Sequence, residues 1–242
     1  MPPGGHIMLI CGLQKLSLLD YPGKLAATIF TGGCNLRCPF CHNALLVTRV
    51  SESPVISEEE LFTFLNNRAG KLDGVCITGG EPLLQKDLES FILKIKDLGF
   101  LVKLDTNGCF PDRLRRLLDQ GIIDYVAMDI KNSPEKYALT VGIEGFDPAP
   151  VFESAKLLMN GSTPYEFRTT LAEGLHTAED MEKIGELLHG ANQYFLQSFI
   201  DSGSLVGFDG NHEGFLGTLN RSDIERFRDI LSGHIPSVSI RG

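Results

Sequence analysis

The chain has 242 residues, 43% of them hydrophobic, and a formal net charge of −9. That length can bury one sizeable core, and the acidic balance argues against a nucleic-acid or anionic-membrane surface, which needs a basic patch. No apolar run approaches the ~18 residues of a spanning helix. The short apolar patch at residues 7–10 lacks the basic start and A-x-A site of a secretory signal. The cytoplasm is the expected compartment, where thiols stay reduced and clustered cysteines read as metal ligands.

Residues 1–24 read as an irregular entry. Residues 25–31 form a short apolar run that ends in Gly32 and Gly33, the pattern of a buried strand running into a loop. That loop carries three of the six cysteines, Cys34, Cys38 and Cys41, spaced C-x3-C-x2-C. Thiolates suit iron–sulfur clusters or zinc. A [4Fe–4S] cluster held by only three of them keeps one iron open to a substrate. A structural zinc site, with His42 as a strained fourth ligand, and a disulfide with a leftover thiol are the alternatives. Cys11, Cys76 and Cys109 are scattered and read as buried free thiols.

After the loop, Ser57 and Glu60 mark a helix start, followed by Leu61, Phe64 and Leu65 at helical spacing. A strand at 74–78 then runs into Gly79, Gly80 and Glu81, and a helix over 84–98 stops at Gly99. A third strand, 100–105, precedes Thr106 and Asn107. Pro111 opens a helix that Gly121 closes. Strand 125–129 ends at Ile130 and Lys131, helix 151–160 leads to strand 165–170, and helix 178–188 leads to strand 194–197. Residues 201–220 are glycine-rich without periodicity, a loop of a length usually functional or mobile. A last helix is expected over 221–233, begun by a capping box at Ser222 and Glu225.

Six strands alternating with helices imply parallel pairing by right-handed crossovers. Six units are too few for a closed eight-stranded barrel. The expected architecture is therefore α/β, a partial (β/α)6 barrel, with a doubly wound open sheet as the competitor, in one domain over 1–242. In either fold the carboxyl ends of the strands carry function. There stand the three cysteines, Gly79, Gly80, Glu81, Asp105, Thr106, Asn107, Asp129, Lys131, Arg168 and Gln197. Two aspartates ending neighbouring strands would repel unless a cation or lysine lies between them.

The cysteine spacing, with aromatic Phe40 before the third cysteine, resembles the signature of the radical S-adenosylmethionine (SAM) enzymes. The longer run from Gly12-Leu13-Gln14-Lys15 through Asp20-Tyr21-Pro22-Gly23 to Cys41-His42-Asn43 resembles activating proteins of anaerobic ribonucleoside-triphosphate reductase, relatives of pyruvate formate-lyase activase. The resemblance implies the partial barrel and a [4Fe–4S] cluster on Cys34, Cys38 and Cys41. It implies a methionine-binding turn at Gly79, Gly80 and Glu81, with Phe40 beside adenine. Asp105, Thr106, the Ala127 carbonyl and Asp129 would hold a monovalent cation, and Lys131 would meet the SAM carboxylate. Asn107, Arg168 and Gln197 would line the pocket. Where some of these activases carry a histidine, this chain has Ile200. The activity so implied is reductive cleavage of SAM and hydrogen abstraction from a glycine of a partner reductase. A flavodoxin or ferredoxin-type protein would supply the electron, and no nucleic acid or membrane is involved. The alternatives are a radical SAM enzyme acting on a small molecule or another peptide, and a non-catalytic iron–sulfur or zinc module.

Overall fold

The computed structural model describes residues 8–200, 205–206 and 216–241. Chain order is β1 (Ile10–Ser17), β2 (Ala26–Thr31), α1 (Ala44–Val47), α2 (Glu58–Asn66), β3 (Gly74–Gly79), α3 (Leu88–Asp97), β4 (Leu101–Thr106), α4 (Pro111–Asp119) and β5 (Tyr125–Asp129). It continues with α5 (Pro134–Val141), α6 (Ala149–Asn160), β6 (Tyr165–Leu171), α7 (Ala178–Leu187), β7 (Tyr194–Ser198), α8 (Arg221–Ser232) and β8 (Val238–Arg241). The backbone gathers into two compact units. The first holds residues 8–35, 45–106 and 112–126; the second holds 36–44, 107–111 and the described residues from 127 onward.

In the first unit β2 pairs in parallel with β3, from Ala26 opposite Gly74 to Thr31 opposite Gly79, and β3 pairs in parallel with β4. Most side chains of these strands are buried, as expected where a parallel sheet is covered on both faces. The covering helices show why they form. Ser57 Oγ accepts from the Glu60 N–H at 3.1 Å to start α2, which buries Leu61 and Leu65. α3 buries Leu88, Phe91, Ile92 and Ile95, an apolar stripe at helical spacing.

In the second unit β6, β7 and β8 pair in parallel. α7 begins with a reciprocal capping box between Thr177 and Asp180. Within each unit the strands lie in chain order, without the reversal that a doubly wound sheet requires. The α/β class with parallel pairing is borne out.

Several local expectations need correction. Residues 10–17 are not an irregular entry but β1, which runs antiparallel to β2 with two register shifts. Its burial follows no period of two, so the sequence carries no strand signature. β8 and α5 also went unseen; β8 has only four residues. α5 starts at Ser133-Pro134 and ends at Gly142, whose φ of 67° is the left-handed cap glycine supplies. The cap of α8 is Asn220, whose Oδ1 accepts from the Asp223 N–H at 2.9 Å, rather than a box at Ser222 and Glu225. The glycine-rich segment 201–220 falls largely outside the described residues. Ile200 is exposed.

Candidate functional site

In the first unit the turn after β3 is shaped by backbone proximity. Gly80 N–H donates to the Thr31 carbonyl and Glu81 N–H to the Gly33 carbonyl, both at 2.8 Å. A Cβ on Gly80 would overlap that Gly33 carbonyl, and one on Gly79, which has φ of 113°, would overlap the Thr31 backbone. Both glycines are therefore required for β3 to close onto the residues that lead into Cys34. Glu81, fully buried, accepts from the Leu83 N–H at 3.0 Å and from the Thr106 hydroxyl at 2.8 Å. It caps a short 3-10 turn, Pro82–Leu84, and ties the end of β3 to the end of β4.

Asp105, one residue earlier on β4, pairs with Lys103 of the same strand. Lys103 is only 2% exposed. Its register partner across the sheet is Cys76. The Cys76 Sγ stands 3.8 Å from Lys103 Nζ and 3.6 Å from Asp105 Oδ1. Sequence reasoning passed over Lys103. The available signal was a lysine two residues before a strand-end aspartate, hence on the same face.

In the second unit, residues 36–44 carry the later part of the cysteine loop, which folds as a tight turn in which Cys41 N–H donates to the Cys38 carbonyl at 3.0 Å. Cys38 and Phe40 are buried, and Arg37 N–H donates to the Val141 carbonyl at the end of α5. Lys131 Nζ lies 5.9 Å from the centre of the Phe40 ring and donates to Asp129 Oδ2 at 2.9 Å. Arg168 Nε donates to Asp129 Oδ1, also at 2.9 Å. One carboxylate thus stands between two cations.

Burial would raise the Asp129 carboxyl, but Arg168 and Lys131 outweigh it and hold it well below the usual carboxylate range. Burial likewise opposes charge on Lys131. Asp129, with Cys38 and Cys41 adding to it, pushes the ammonium above its ordinary range. That link brings the two cysteines, Phe40, Lys131, Asp129 and Arg168 into one electrostatic neighbourhood.

His176 packs against this neighbourhood and was not singled out by sequence reasoning. It is buried. Its Nδ1 accepts from the Ala172 N–H at 3.1 Å and its Nε2 pairs with the Lys131 carbonyl at 2.9 Å, which the neutral Nε2–H tautomer satisfies. Asn107 is buried, its Oδ1 accepting from the Cys109 N–H at 3.0 Å. Ala127 is buried in β5, and Gln197 on β7 lies opposite Thr170 and Arg241. Of the three scattered cysteines, Cys11 and Cys76 are buried and Cys109 is partly exposed.

All six thiols are free of disulfides, which removes that reading of the loop. His42 is exposed, its ring 5.8 Å from that of Phe199. Among the described residues no three His, Cys, Asp or Glu side chains stand close enough to hold a metal ion. The fit to an iron–sulfur group therefore rests on soft thiolate donors and on the ammonium beside two of them, which would offset the negative charge of such a group.

Parallel α/β strands whose ends carry a cysteine loop, a glycine turn and, separately, a carboxylate between two cations have the features of the cofactor-dependent α/β enzymes. Residues 28–188 match the Radical SAM superfamily. The chain is 34% identical over 195 residues to a Methanocaldococcus jannaschii protein named provisionally as a glycyl-radical enzyme activating enzyme, covering 79% of this chain and 80% of that one. It is 29% identical over 197 residues to the pyruvate formate-lyase-activating enzyme of Staphylococcus epidermidis, covering 76% of each. In fold it resembles Streptococcus suis SuiB bound to S-adenosylmethionine, with a TM-score of 0.64 at 14% identity, over 86% of this chain and 48% of that one. It spans about half of that larger protein.

The chain belongs to the radical SAM superfamily, among the glycyl-radical enzyme activating enzymes. Membership implies a [4Fe–4S] cluster and SAM as cofactors. No described helix is long and apolar enough to cross a membrane.

Proposed function

We propose that this protein activates an anaerobic ribonucleoside-triphosphate reductase by abstracting hydrogen from a glycine Cα of that enzyme, in the cytoplasm. Support for the class comes from the family, and support for the particular partner comes from the segments at residues 12–23 and 34–43 that resemble activators of that reductase. The observation that carries the chemistry is Asp129 held between Lys131 and Arg168. One anion and two cations leave a net positive charge, the complement of an amino-acid carboxylate such as that of SAM. Lys131 has three donors, of which Asp129 takes one.

In this reading Cys34, Cys38 and Cys41 hold the cluster. The turn at Gly79, Gly80 and Glu81 receives the methionine part, with Glu81 the acceptor for its ammonium. Phe40 packs beside adenine, while Thr106, Asn107 and Gln197 line the remaining wall. When bound, the cluster would supply the chemistry of one-electron reductive cleavage of SAM, with the electron drawn from a flavodoxin or ferredoxin-type donor and the glycine hydrogen passing to the adenosyl fragment. The protein's own work is to orient the sulfonium and exclude water. The resemblance also implies a monovalent cation on Asp105, Thr106, Ala127 and Asp129. No step depends on that ion, because both carboxylates already carry protein cations.

Anaerobic incubation with SAM, a reductant and the reductase should generate a persistent glycine-centred doublet in electron paramagnetic resonance, abolished when the target glycine becomes alanine. A panel of glycyl-radical enzymes from the same organism is the control. Activation of a different member moves the partner. Should none become radical-bearing while a small molecule or an unrelated peptide accelerates SAM cleavage, the activase reading fails.

A further inference from the structure

Lys103 is a charge in an apolar place. Its strand neighbours Val102 and Leu104 are fully buried, its partner across the sheet is the buried Cys76, and its own exposure is 2%. Moving an ammonium into such surroundings strips it of water that only a partner can replace, so an unpaired lysine would be excluded there. The side chain runs along β4 and ends on Asp105, whose side chain is 14% exposed at the strand end. A positive charge is delivered from the interior to a carboxylate at the functional edge.

That carboxylate is one of those on which the family resemblance would seat a monovalent metal ion, and the residues present do not fit that ion. Asp105 already has the Lys103 ammonium, with Cys76 Sγ a second donor toward it at 3.6 Å. In the second unit Asp129 has Lys131 and Arg168, each at 2.9 Å. A potassium ion and an ammonium have the same charge and similar size, so the two compete for one position rather than share it.

We propose that Lys103 is a tethered cation: its ammonium takes at Asp105 the place of a monovalent metal ion, so SAM binding in this chain needs no such ion. The proposal rests on the reading of these strand ends as the SAM site. Lys103 is then a positioning residue. It keeps the Asp105 carboxylate balanced and oriented, and touches neither SAM nor the cluster. The tether makes the site independent of the salt around it, because a covalently attached charge is present at every ionic composition.

Two measurements test this. Thallium NMR titration of the cluster-free protein, with thallium standing in for potassium, should find no saturable site; a saturable site competed by potassium would overturn the proposal without reference to SAM. SAM affinity of the cluster-loaded protein should stay within about twofold in potassium, sodium and choline chloride at equal ionic strength. Lys103→Met should weaken SAM binding by about tenfold or more in choline, with potassium restoring most of it, whereas Lys103→Arg should keep the wild-type pattern. A wild-type affinity that falls about tenfold in choline, or a folded Lys103→Met protein with unchanged affinity in every salt, sinks the idea. If Lys103→Met does not fold, Lys103→Met/Asp105→Asn, which removes both charges, should fold and bind no thallium. Its binding thallium would count against the proposal. Loss of SAM binding by the wild type in all salts would instead overturn the functional reading, and the thallium titration would still decide the role of Lys103.

Discussion

The hydroxyl of Thr106 donates to the buried carboxylate of Glu81 across 2.8 Å, joining the ends of β3 and β4 where the glycine turn begins. The same carboxylate caps the 3-10 turn through Leu83 N–H. Thr106→Val keeps the shape but removes the donor from a buried carboxylate. The expected cost is about 1–3 kcal/mol, the range for a lost partner to a buried polar group. Urea unfolding of the two proteins measures it, and an unchanged midpoint would show that the bond contributes nothing.

Gly80 faces the Gly33 carbonyl so closely that a methyl cannot be accommodated without moving backbone. Gly80→Ala should therefore destabilise by at least the ~1–3 kcal/mol typical of overpacking. Because Gly33 precedes Cys34, iron uptake on reconstitution should fall as well. A Gly80→Ala protein with wild-type melting temperature and iron content would contradict the close approach described for this turn.

The six cysteines, none of them in a disulfide, divide into two sets with different expected roles. Reconstituted protein should hold about four irons per chain, the content of one cubic cluster. Substituting Cys34, Cys38 or Cys41 by Ala should abolish SAM cleavage and lower iron content. Cys11→Ala, Cys76→Ala and Cys109→Ala should retain the iron. Tightly bound zinc with no iron uptake would remove the cluster from the account.

Lys131 sits between Asp129 and the Phe40 ring. Lys131→Met keeps much of the side-chain volume and deletes the charge. SAM affinity should drop by about tenfold or more, in line with ~1.5–3 kcal/mol for a charge-assisted hydrogen bond, while the visible absorption of the cluster stays the same. Isothermal titration and absorbance read the two separately. Equal losses in both would mean that Lys131 supports the loop rather than the ligand.

His176 ties stability to pH. Burial, the largest influence on it, lowers its protonation below the ordinary histidine value despite hydrogen bonding to the backbone carbonyls of Lys131 and Ala172, which acts the other way. The unfolded chain takes up its proton near the usual value of about 6.5, the folded chain only at lower pH. The unfolded state thus binds more protons in that window, and stability is present above about pH 6.5 and lost as pH falls through it. His176→Gln should show a smaller loss between about pH 7.5 and 5.5 by urea unfolding. Parallel losses in both proteins would assign the acid sensitivity elsewhere.

The sequence by itself determined the features that are local in the chain. The cysteine spacing lies within eight residues, the glycines of the β3 turn follow directly on an apolar run, and the helices announce themselves by capping residues and a period of 3.6. Alternating strands and helices were enough for a parallel α/β sheet, since crossover connections leave few other solutions. Which polar groups meet was decided only by tertiary structure. Arg168 reaches Asp129 from 39 residues away, and His176 reaches the Lys131 carbonyl from 45. Lys103 acquires meaning once the β3–β4 register sets Cys76 against it and buries both. β1 shows no alternation because its register shifts twice against β2, so its hydrogen bonds exist only with that partner in place. Local patterns follow from backbone geometry a few residues at a time. Charge pairing and register depend on which strands the whole chain brings side by side.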